Sequence, residues 1–284
     1  MTQKAQETGQ PDAIDPGLQE EYRPAPPRAG LGLKDDLVMA LRFFSRLPSG
    51  NSPHEMPDLG RIAMALPLAA TIIGIIPVLI VIGGIFAGLP PYFAAALAVA
   101  AMVLVGGGMM EDALADAADG LFGGSSVERR LAILKDSRHG TYGVAALCLF
   151  LLLRVTALGS LAAINPVAAA ALWLAANIAG RSTGLWIAVA LPPARTEGAA
   201  AAAGALARSR FWIGAALAAL LVLLLGGPAS SLLGVAGALL AAALAALAWT
   251  ALCRRLVGGQ TGDLIGAACA LCEIAALTVL LISA

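Results

Sequence analysis

The chain has 284 residues, of which 59% are hydrophobic and 13% are charged, and its formal net charge is zero. Soluble domains usually carry about 25% charged residues, so this composition excludes an ordinary soluble domain. A neutral chain also lacks the basic excess that nucleic-acid binding requires, so we expect a lipid bilayer to be its main partner and no nucleic acid.

The hydrophobic residues form separate runs whose lengths fit a membrane. Residues 1–30 are polar and proline-rich, which predicts a disordered cytoplasmic tail before an integral-membrane catalytic domain at 31–284. Residues 31–47 are amphipathic and precede Pro48, which predicts a helix on the membrane surface. A bilayer-spanning helix needs about 20 apolar residues. Candidate spans follow at 61–86, 92–110, 142–164, 167–190, 211–225, 231–252 and 264–283. We therefore predict an all-α, polytopic transmembrane helical bundle with about seven spans.

The charges predict how these spans are oriented. With seven spans and the N-terminus inside, the outer loops at 87–91, 165–166 and 226–230 contain no charged residue. Except for Arg154 and Arg181, all Lys and Arg residues fall in the tail or on the other side. The positive-inside rule then places the N-terminus and every dense polar segment in the cytoplasm, and the C-terminus outside. Because a transporter needs gates on both faces, this asymmetry favours an enzyme supplied from the cytoplasm.

One run ends in the acidic stretch EDALADAADG at residues 111–120. On a helix, Asp112, Asp116 and Asp119 stand at i, i+4 and i+7 and share one face, while Glu111 points about 100° away and is predicted to be a bystander. Three neighbouring carboxylates repel each other, and a divalent cation relieves that repulsion. Mg²⁺ prefers such oxygen ligands together with substrate phosphates. The stretch predicts a Mg²⁺ and diphosphate site; the alternative is a solvated helix end neutralised by the next loop.

Two further segments carry groups suited to phosphate. RRLAILKDSRHGTYG at residues 129–143 has basic residues that can hold phosphate oxygens, although any cytoplasmic loop carries such charges. His139 is interpreted as a polar loop residue. GGQTGD at residues 258–263 combines glycines with a helix start, where backbone N–H groups can approach an anion, and Asp263 is a candidate fourth metal ligand. The alternative is a glycine-rich turn in which Asp263 caps the helix.

Three charged residues lie deep inside predicted spans: Arg154, Arg181 and Glu273. A charge at the bilayer centre costs about 2.5–3.5 kcal/mol on insertion scales, so such residues pair with each other or face a polar cavity. The sequence leaves both alternatives open.

At this point the motifs resemble a known family. EDALADAADGLFGG, LKDSRHGTYG and GGQTGDLIGAA, with Glu273 beyond them, are similar in type and order to the cobalamin synthase family, the membrane-bound adenosylcobinamide-GDP ribazoletransferases of late cobamide assembly. The resemblance covers about residues 37–282. Met110 stands where that family has His, Ala113 where it has Gly and Ala117 where it has Thr.

The resemblance implies a reaction and a set of site residues. Adenosylcobinamide-GDP would transfer phosphocobinamide to α-ribazole or its 5′-phosphate, releasing GMP, with Mg²⁺ as cofactor. Asp112, Asp116, Asp119 and Asp263 would hold the metal. Asp116, Asp263, Lys135 and Arg138 would be catalytic. Substrate-binding residues would be Arg129, Asp136, Ser137, Thr141, Tyr142, Arg181, Gly259, Thr261, Gly262 and Glu273.

Other functions share parts of this pattern. A CDP-alcohol phosphotransferase is the main alternative, but Gly123 and Gly124 stand where its signature needs Ala and Arg, and its second half is absent. A UbiA-like prenyltransferase needs a second aspartate-rich motif that is missing, and a transporter conflicts with the uncharged outer loops. We expect a multi-pass protein of the bacterial inner membrane with its active site on the cytoplasmic side. A homo-oligomer, or association with other cobamide-assembly enzymes, stays open.

Overall fold

The computed structural model describes residues 32–49, 57–136, 138–195 and 206–284. The predicted tail and Ser137 lie outside these ranges. Within them the secondary structure is helical, apart from an isolated parallel bridge between Pro193 and Gln260. The helices are α1 (Leu33–Phe44), α2 (Leu59–Phe86), α3 (Pro91–Gly106), α4 (Met109–Gly123), α5 (Val127–Ile133), α6 (Thr141–Ala162), α7 (Pro166–Gly184), α8 (Trp186–Ala190), α9 (Arg208–Gly226), α10 (Leu232–Leu256) and α11 (Gly262–Ser283). The predicted all-α helical membrane architecture is confirmed.

Polar caps mark where several of the long helices begin. Asp58 accepts hydrogen bonds from the N–H groups of Gly60 and Arg61 at 2.7 and 3.1 Å, and so caps α2. Asn165 caps α7 in the same way and is followed by Pro166, whose missing N–H suits the first helical position. Ser231 and Thr261 cap α10 and α11. These side chains satisfy N–H groups that have no partner within the helix.

Helix α11 lies at the centre of the bundle, where it packs against α4, α7 and α10. Glycines allow α7 to approach it closely: a Cβ atom added at Gly180 would lie 2.6 Å from the backbone nitrogen of Glu273, and one at Gly184 would lie 2.5 Å from that of Cys269. Small residues at helix contacts are the usual means of close packing in membranes. By contrast, Leu224 of α9 and Leu233 of α10 are exposed, as expected for side chains that face lipid.

The number of spans differs from the prediction. By length and composition five described helices could cross a membrane, namely α2, α6, α9, α10 and α11, and the bent pair of α3 and α4 would make six. The predicted span at 167–190 falls on α7 and α8. Helix α7 has 19 residues, about 28 Å, but it carries Asn177 and Arg181, which lower its hydropathy. Both residues are buried in the bundle rather than exposed to lipid. A seventh span, and the outside C-terminus that depends on it, therefore stay predictions.

Two glycines divide the predicted span at 92–110. Gly107 and Gly108 have φ angles of 68° and 69°, in the left-handed region, and α4 turns by 87° relative to α3 at this point. L-residues with a Cβ pay about 1–2 kcal/mol for that conformation, whereas glycine does not. The turn directs the acidic helix α4 away from the axis of α3, and this positions the site described below.

Side chains join the polar segments at one end of the bundle. Arg130 donates from Nε to the carbonyl of Leu121 at 3.2 Å and from Nη1 to the carbonyl of Leu256 at 3.1 Å, which ties α5 to the ends of α4 and α10. Arg195 donates to the carbonyl of Leu131. The other end is held by uncharged groups, such as the 2.9 Å contact between the hydroxyls of Ser230 and Ser283. The charged loops therefore form one face of the protein.

The left-handed turn can be tested by substitution. A Cβ atom at Gly108 would meet no atom within 4 Å, so Gly108→Ala introduces backbone strain without a clash. We expect it to lower the free energy of unfolding by about 1–2 kcal/mol, measured by thermal unfolding in detergent. Gly83→Ala in α2 is the control, since its φ is not positive and its added Cβ also meets nothing. It should be at least as stable as the parent chain, because alanine is favoured over glycine inside a helix by about 0.5–1 kcal/mol. Equal stability of the two variants would contradict the proposed role of the turn.

Candidate active site

Two of the predicted acids meet a histidine at the charged face. Asp112 and Asp116 lie one turn apart on α4, and His139 lies in the segment before α6. The Oδ1 atom of Asp116 is 3.6 Å from His139 Nδ1, and the Oδ1 atom of Asp112 is 3.9 Å from His139 Nε2. One ligand atom from each residue lies within 4.8 Å of the other two. These three side chains form the acidic cluster of this site.

Asp263, from the far end of the chain, lies near the acidic cluster. It interacts electrostatically with Asp112 and Asp116, and Thr261 Oγ1 donates to its Oδ2 at 3.4 Å. The approach depends on tight packing of α4 on α11, because a Cβ atom at Gly266 would lie 2.5 Å from that of Ala113. Asp263 lines the same cavity as Asp112 but lies outside the group of donor atoms within 4.8 Å, so its role as a metal ligand stays a prediction.

The acidic cluster suits a hard divalent cation. Mg²⁺ binds oxygen at about 2.0–2.1 Å, so ligands on opposite sides of the ion lie about 4.2 Å apart. Donor atoms within 4.8 Å of one another need only a small adjustment to reach that spacing. The carboxylates fit Mg²⁺ or Mn²⁺, while the imidazole of His139 is a better ligand for softer metals. Asp116 is the most sheltered member, with 15% of its side chain exposed against 65% for Asp112.

Asp119 was predicted to bind the metal, which stays a prediction, and in the structure both of its carboxylate oxygens accept backbone hydrogen bonds. Its Oδ2 accepts the N–H of Gly140 at 2.6 Å and its Oδ1 accepts the N–H of Gly143 at 2.9 Å. These N–H groups belong to the first turn of α6, where the helix has no side-chain cap of its own. A Cβ atom at either glycine would collide with the carboxylate. Asp119 therefore anchors the start of α6, and with it the position of His139.

The basic loop lies at the exposed rim of the site. Arg138 donates from Nε and Nη2 to the two carboxylate oxygens of Asp136 at 3.0 and 2.7 Å. The Arg138 hydrogen bonds lower the pKa of Asp136 to about 2, so this pair stays charged at neutral pH. Lys135, Arg129 and Thr141 are exposed. Tyr142 is also exposed, with its ring centroid 6.0 Å from that of Phe122. The structure brings this loop to the same face as the acids, and Arg138 is paired with Asp136 rather than with them.

Close backbone packing explains part of the glycine-rich segment GGQTGD. Gly259 is buried, and a Cβ atom there would lie 2.7 Å from the backbone of Ala194. Gln260 donates its N–H to Pro192 and accepts that of Ala194, both at 2.8 Å. Gly259 thus permits this close backbone contact, and its assignment to substrate binding stays a prediction. Gly262 is exposed at the first position of α11 and remains available to a ligand.

The charges inside the bundle form one hydrogen-bonded network. Arg154 on α6 is fully buried and donates to Glu111 on α4 and to Glu273 on α11, both at 2.9 Å. Asn177 donates to the other oxygen of Glu273 at 3.1 Å, and Arg181 donates to Asn177 at 3.2 Å. Glu273 is fully buried and both of its oxygens are engaged in this network, while its predicted role in substrate binding stays a prediction. Glu111 is likewise a partner of Arg154 and not a bystander.

A cavity of about 260 Å³ connects this network with the acidic cluster. Asp112 and Asp263 line it together with Glu111 and Arg181, and much of the remaining wall is apolar. Arg181 is 3% exposed, so its guanidinium belongs to the interior end of this space. The predicted alternative of a cavity lined by internal charges therefore holds for Arg181 and fails for Glu273.

Three residues of the site were not assigned by sequence reasoning. His139 looked like an ordinary loop residue, because nothing local indicates that it faces Asp112 and Asp116. Glu111 was set aside from its helix angle alone, although α6 packs on that side. Arg195 interacts electrostatically with Asp263 across the bridge at Pro193. Each of these contacts joins residues from different parts of the chain, so no local sequence pattern indicates it.

The fold and this site define a polytopic helical membrane protein with a carboxylate-rich candidate cation site on its charged face. A family model described as Cobalamin-5-phosphate synthase matches residues 36–281. The chain belongs to the cobalamin-5-phosphate synthase family.

Curated relatives agree with that assignment over most of their length. A protein named adenosylcobinamide-GDP ribazoletransferase from Azorhizobium caulinodans is 46% identical over 258 residues, which are 88% of this chain and 96% of the relative. Proteins of the same name from Xanthobacter autotrophicus and Rhizobium johnstonii are 44% and 41% identical, over 83% and 86% of this chain and 91% and 95% of the relatives. No solved structure matches the chain.

The buried network predicts a large loss of stability when its central cation is removed. Arg154→Met would leave Glu111 and Glu273 buried without their partner, which costs about 3–5 kcal/mol. Chemical or thermal unfolding in detergent should show this loss. Arg255→Met is the matched control, because Arg255 is exposed, and it should unfold like the parent. A similar stability of both variants would mean that the two carboxylates do not depend on Arg154.

A second comparison of variants separates the structural role of Asp119 from the role of the acidic cluster. Asp119→Ala would leave the N–H groups of Gly140 and Gly143 without their acceptor, and we expect it to lower the free energy of unfolding by about 1–3 kcal/mol. Asp116→Ala removes a carboxylate that interacts unfavourably with its acidic neighbours and should not lower stability. Both are measured by thermal unfolding in metal-free buffer. The reverse order of stability would refute the anchoring role of Asp119.

Proposed function

We propose that this chain transfers phosphocobinamide from adenosylcobinamide-GDP to α-ribazole or its 5′-phosphate, with release of GMP. The observation that carries the proposal is the convergence of Asp112, Asp116 and Asp263 at the charged face of a member of this family. The relatives from Azorhizobium caulinodans and Xanthobacter autotrophicus are named for the same transfer. Breaking a diphosphate is helped by a site that gathers a divalent cation, and this cluster is suited to one.

We propose that Mg²⁺ is the cofactor and that Asp112 and Asp116 hold it, with Asp263 as a third carboxylate beside them. When bound, Mg²⁺ would offset the negative charge of the diphosphate and of the departing GMP. His139 lies close enough to Asp112 and Asp116 to orient their oxygens or to contact a phosphate. Its imidazole fits Mg²⁺ less well than the carboxylates do, so we assign it an orienting role.

The roles of the remaining residues follow from their positions. An α-ribazole hydroxyl would form the new bond to phosphorus while the bond between phosphorus and the GMP oxygen breaks, and the hydroxyl proton would pass to Asp263. Asp263 suits this role because it lies beside Asp112 at the entrance of the cavity and is itself positioned by Thr261. Lys135 and Arg138 are exposed at the rim, where they would bind phosphate oxygens of the incoming diphosphate.

We further propose that the protein resides in the bacterial inner membrane with the acidic cluster facing the cytoplasm. The charged loops at one end and the uncharged loops at the other support this orientation through the positive-inside rule. Both proposed substrates are large and polar, and this orientation lets them reach the site from the cytoplasm.

The activity can be tested with purified protein in detergent. Adenosylcobinamide-GDP and α-ribazole 5′-phosphate with Mg²⁺ should give GMP, followed by chromatography, and a chelator should abolish the signal until Mg²⁺ is restored. Asp116→Asn should lower the rate by about 100-fold or more, because stabilisation by a metal is worth several kcal/mol. Asp58→Asn lies outside the site and should retain the rate.

Two outcomes would contradict the proposal. GMP release that persists in the chelator would remove the metal from the reaction. Turnover of a CDP-alcohol donor in place of adenosylcobinamide-GDP would favour the phosphotransferase of lipid synthesis instead.

A further inference from the structure

The 260 Å³ cavity has a wall that differs from its entrance. Its apolar side includes Phe43, Phe44, Met109, Met110 and Ile265, contributed by α1, α4 and α11. The rings of Phe43 and Phe44 meet edge to face with centroids 5.0 Å apart. Aromatic and thioether side chains of this kind bind flat apolar rings well. The wall is therefore built for an aromatic group and not for a phosphate.

Polar groups stand at the two extremes of this cavity. Asp112 and Asp263 line it where it meets the acidic cluster, and Arg181 lines it at the interior. The Arg181 guanidinium lies 5.9 Å from the Phe44 ring centroid, and its Nε donates to Asn177. Its Nη2 lies beside Gly106, another residue of the wall. A ligand here would have an apolar middle, a hydrogen-bond acceptor at one end and hydroxyl groups at the other.

The size and charge of the cavity indicate which chemical group of the two proposed substrates it can hold. Small-molecule sites usually have volumes of about 300–1,000 Å³, so 260 Å³ holds a bicyclic ring and excludes a corrin macrocycle. Without a bound cation, the carboxylates of Asp112 and Asp263 disfavour an anionic diphosphate inside it. A benzimidazole ring is flat and apolar and has one free ring nitrogen that accepts a hydrogen bond.

We propose that this cavity binds the base of α-ribazole, an inference that rests on the proposed function. The ring packs against Phe43, Phe44, Met109 and Met110, and Arg181 donates to its free nitrogen. The ribose then lies at the entrance beside Asp112 and Asp263, where a hydroxyl group meets the proposed proton acceptor. The base-binding cavity and the acidic cluster thus receive different substrates.

Kinetics with each substrate varied in turn test this assignment. Phe44→Ala should raise the KM for α-ribazole by about 10-fold or more, since a missing apolar contact in a pocket changes discrimination by that order. The KM for adenosylcobinamide-GDP should stay within about 2-fold. Phe86→Ala is the matched control, because Phe86 is 73% exposed at the end of α2 and lies outside the cavity. It should change neither KM.

The ratio of the KM values of two substrates on one variant does not depend on how much of that variant is folded, so a substrate analogue provides a second test. The benzimidazole of α-ribazole carries two methyl groups, which would add apolar contacts in this cavity. The parent chain should therefore use a riboside of unsubstituted benzimidazole with a higher KM than α-ribazole, and Phe44→Ala should reduce the ratio of the two KM values toward one. A ratio that is unchanged in Phe44→Ala would overturn the inference. A rise only in the KM for adenosylcobinamide-GDP would do so too, since it would place guanine in the cavity.

Equilibrium binding separates this inference from the proposed function. Titration of α-ribazole into the parent chain, without the second substrate, should show binding that weakens by about 10-fold in Phe44→Ala. Such binding without any GMP release would refute the proposed reaction and retain the site. GMP release together with equal α-ribazole binding by both proteins would refute the site and retain the reaction.

Discussion

The rest of this bundle depends on the hydrogen bonds that the buried guanidinium of Arg154 donates. It joins α4, α6 and α11 through Glu111 and Glu273, and it also lies 4.8 Å from the Phe150 ring centroid. A lone charge at this depth would be strongly unfavourable, so the two carboxylates and the cation are stable only together. Three helices that carry the candidate site are thereby held in one arrangement.

Much of the architecture could be predicted because it depends on local properties. Apolar runs and positive loops indicated a helical membrane protein, and the spacing of Asp112 and Asp116 indicated one helix face. The bend at Gly107 and Gly108 was missed, because glycine in an apolar run does not specify its φ angle. Helix α7 has the length of a span, and only the structure shows that its polar residues are enclosed by neighbouring helices.

The part of the site that could be predicted likewise depends on local properties of the sequence. Asp263 was included through its motif, but which acids point at one another depends on how α4 packs on α11. Asp119 shares a face with the other acids on an isolated helix, yet the first turn of α6 lies against it and takes both of its oxygens. His139 became part of the acidic cluster through that same contact. A helix wheel contains no information about a neighbour that arrives from another part of the chain.

The network and the acidic cluster are linked because they share α4. Glu111 and Asp112 are adjacent, so their side chains point about 100° apart around the helix axis. Binding of Glu111 to Arg154 therefore sets the rotation of α4, and this rotation turns Asp112 and Asp116 toward His139 and Asp263. Asp119 sets the other end of the same helix through α6. The carboxylates are thus positioned by two contacts on opposite ends of one rigid element, neither of which is itself part of the acidic cluster.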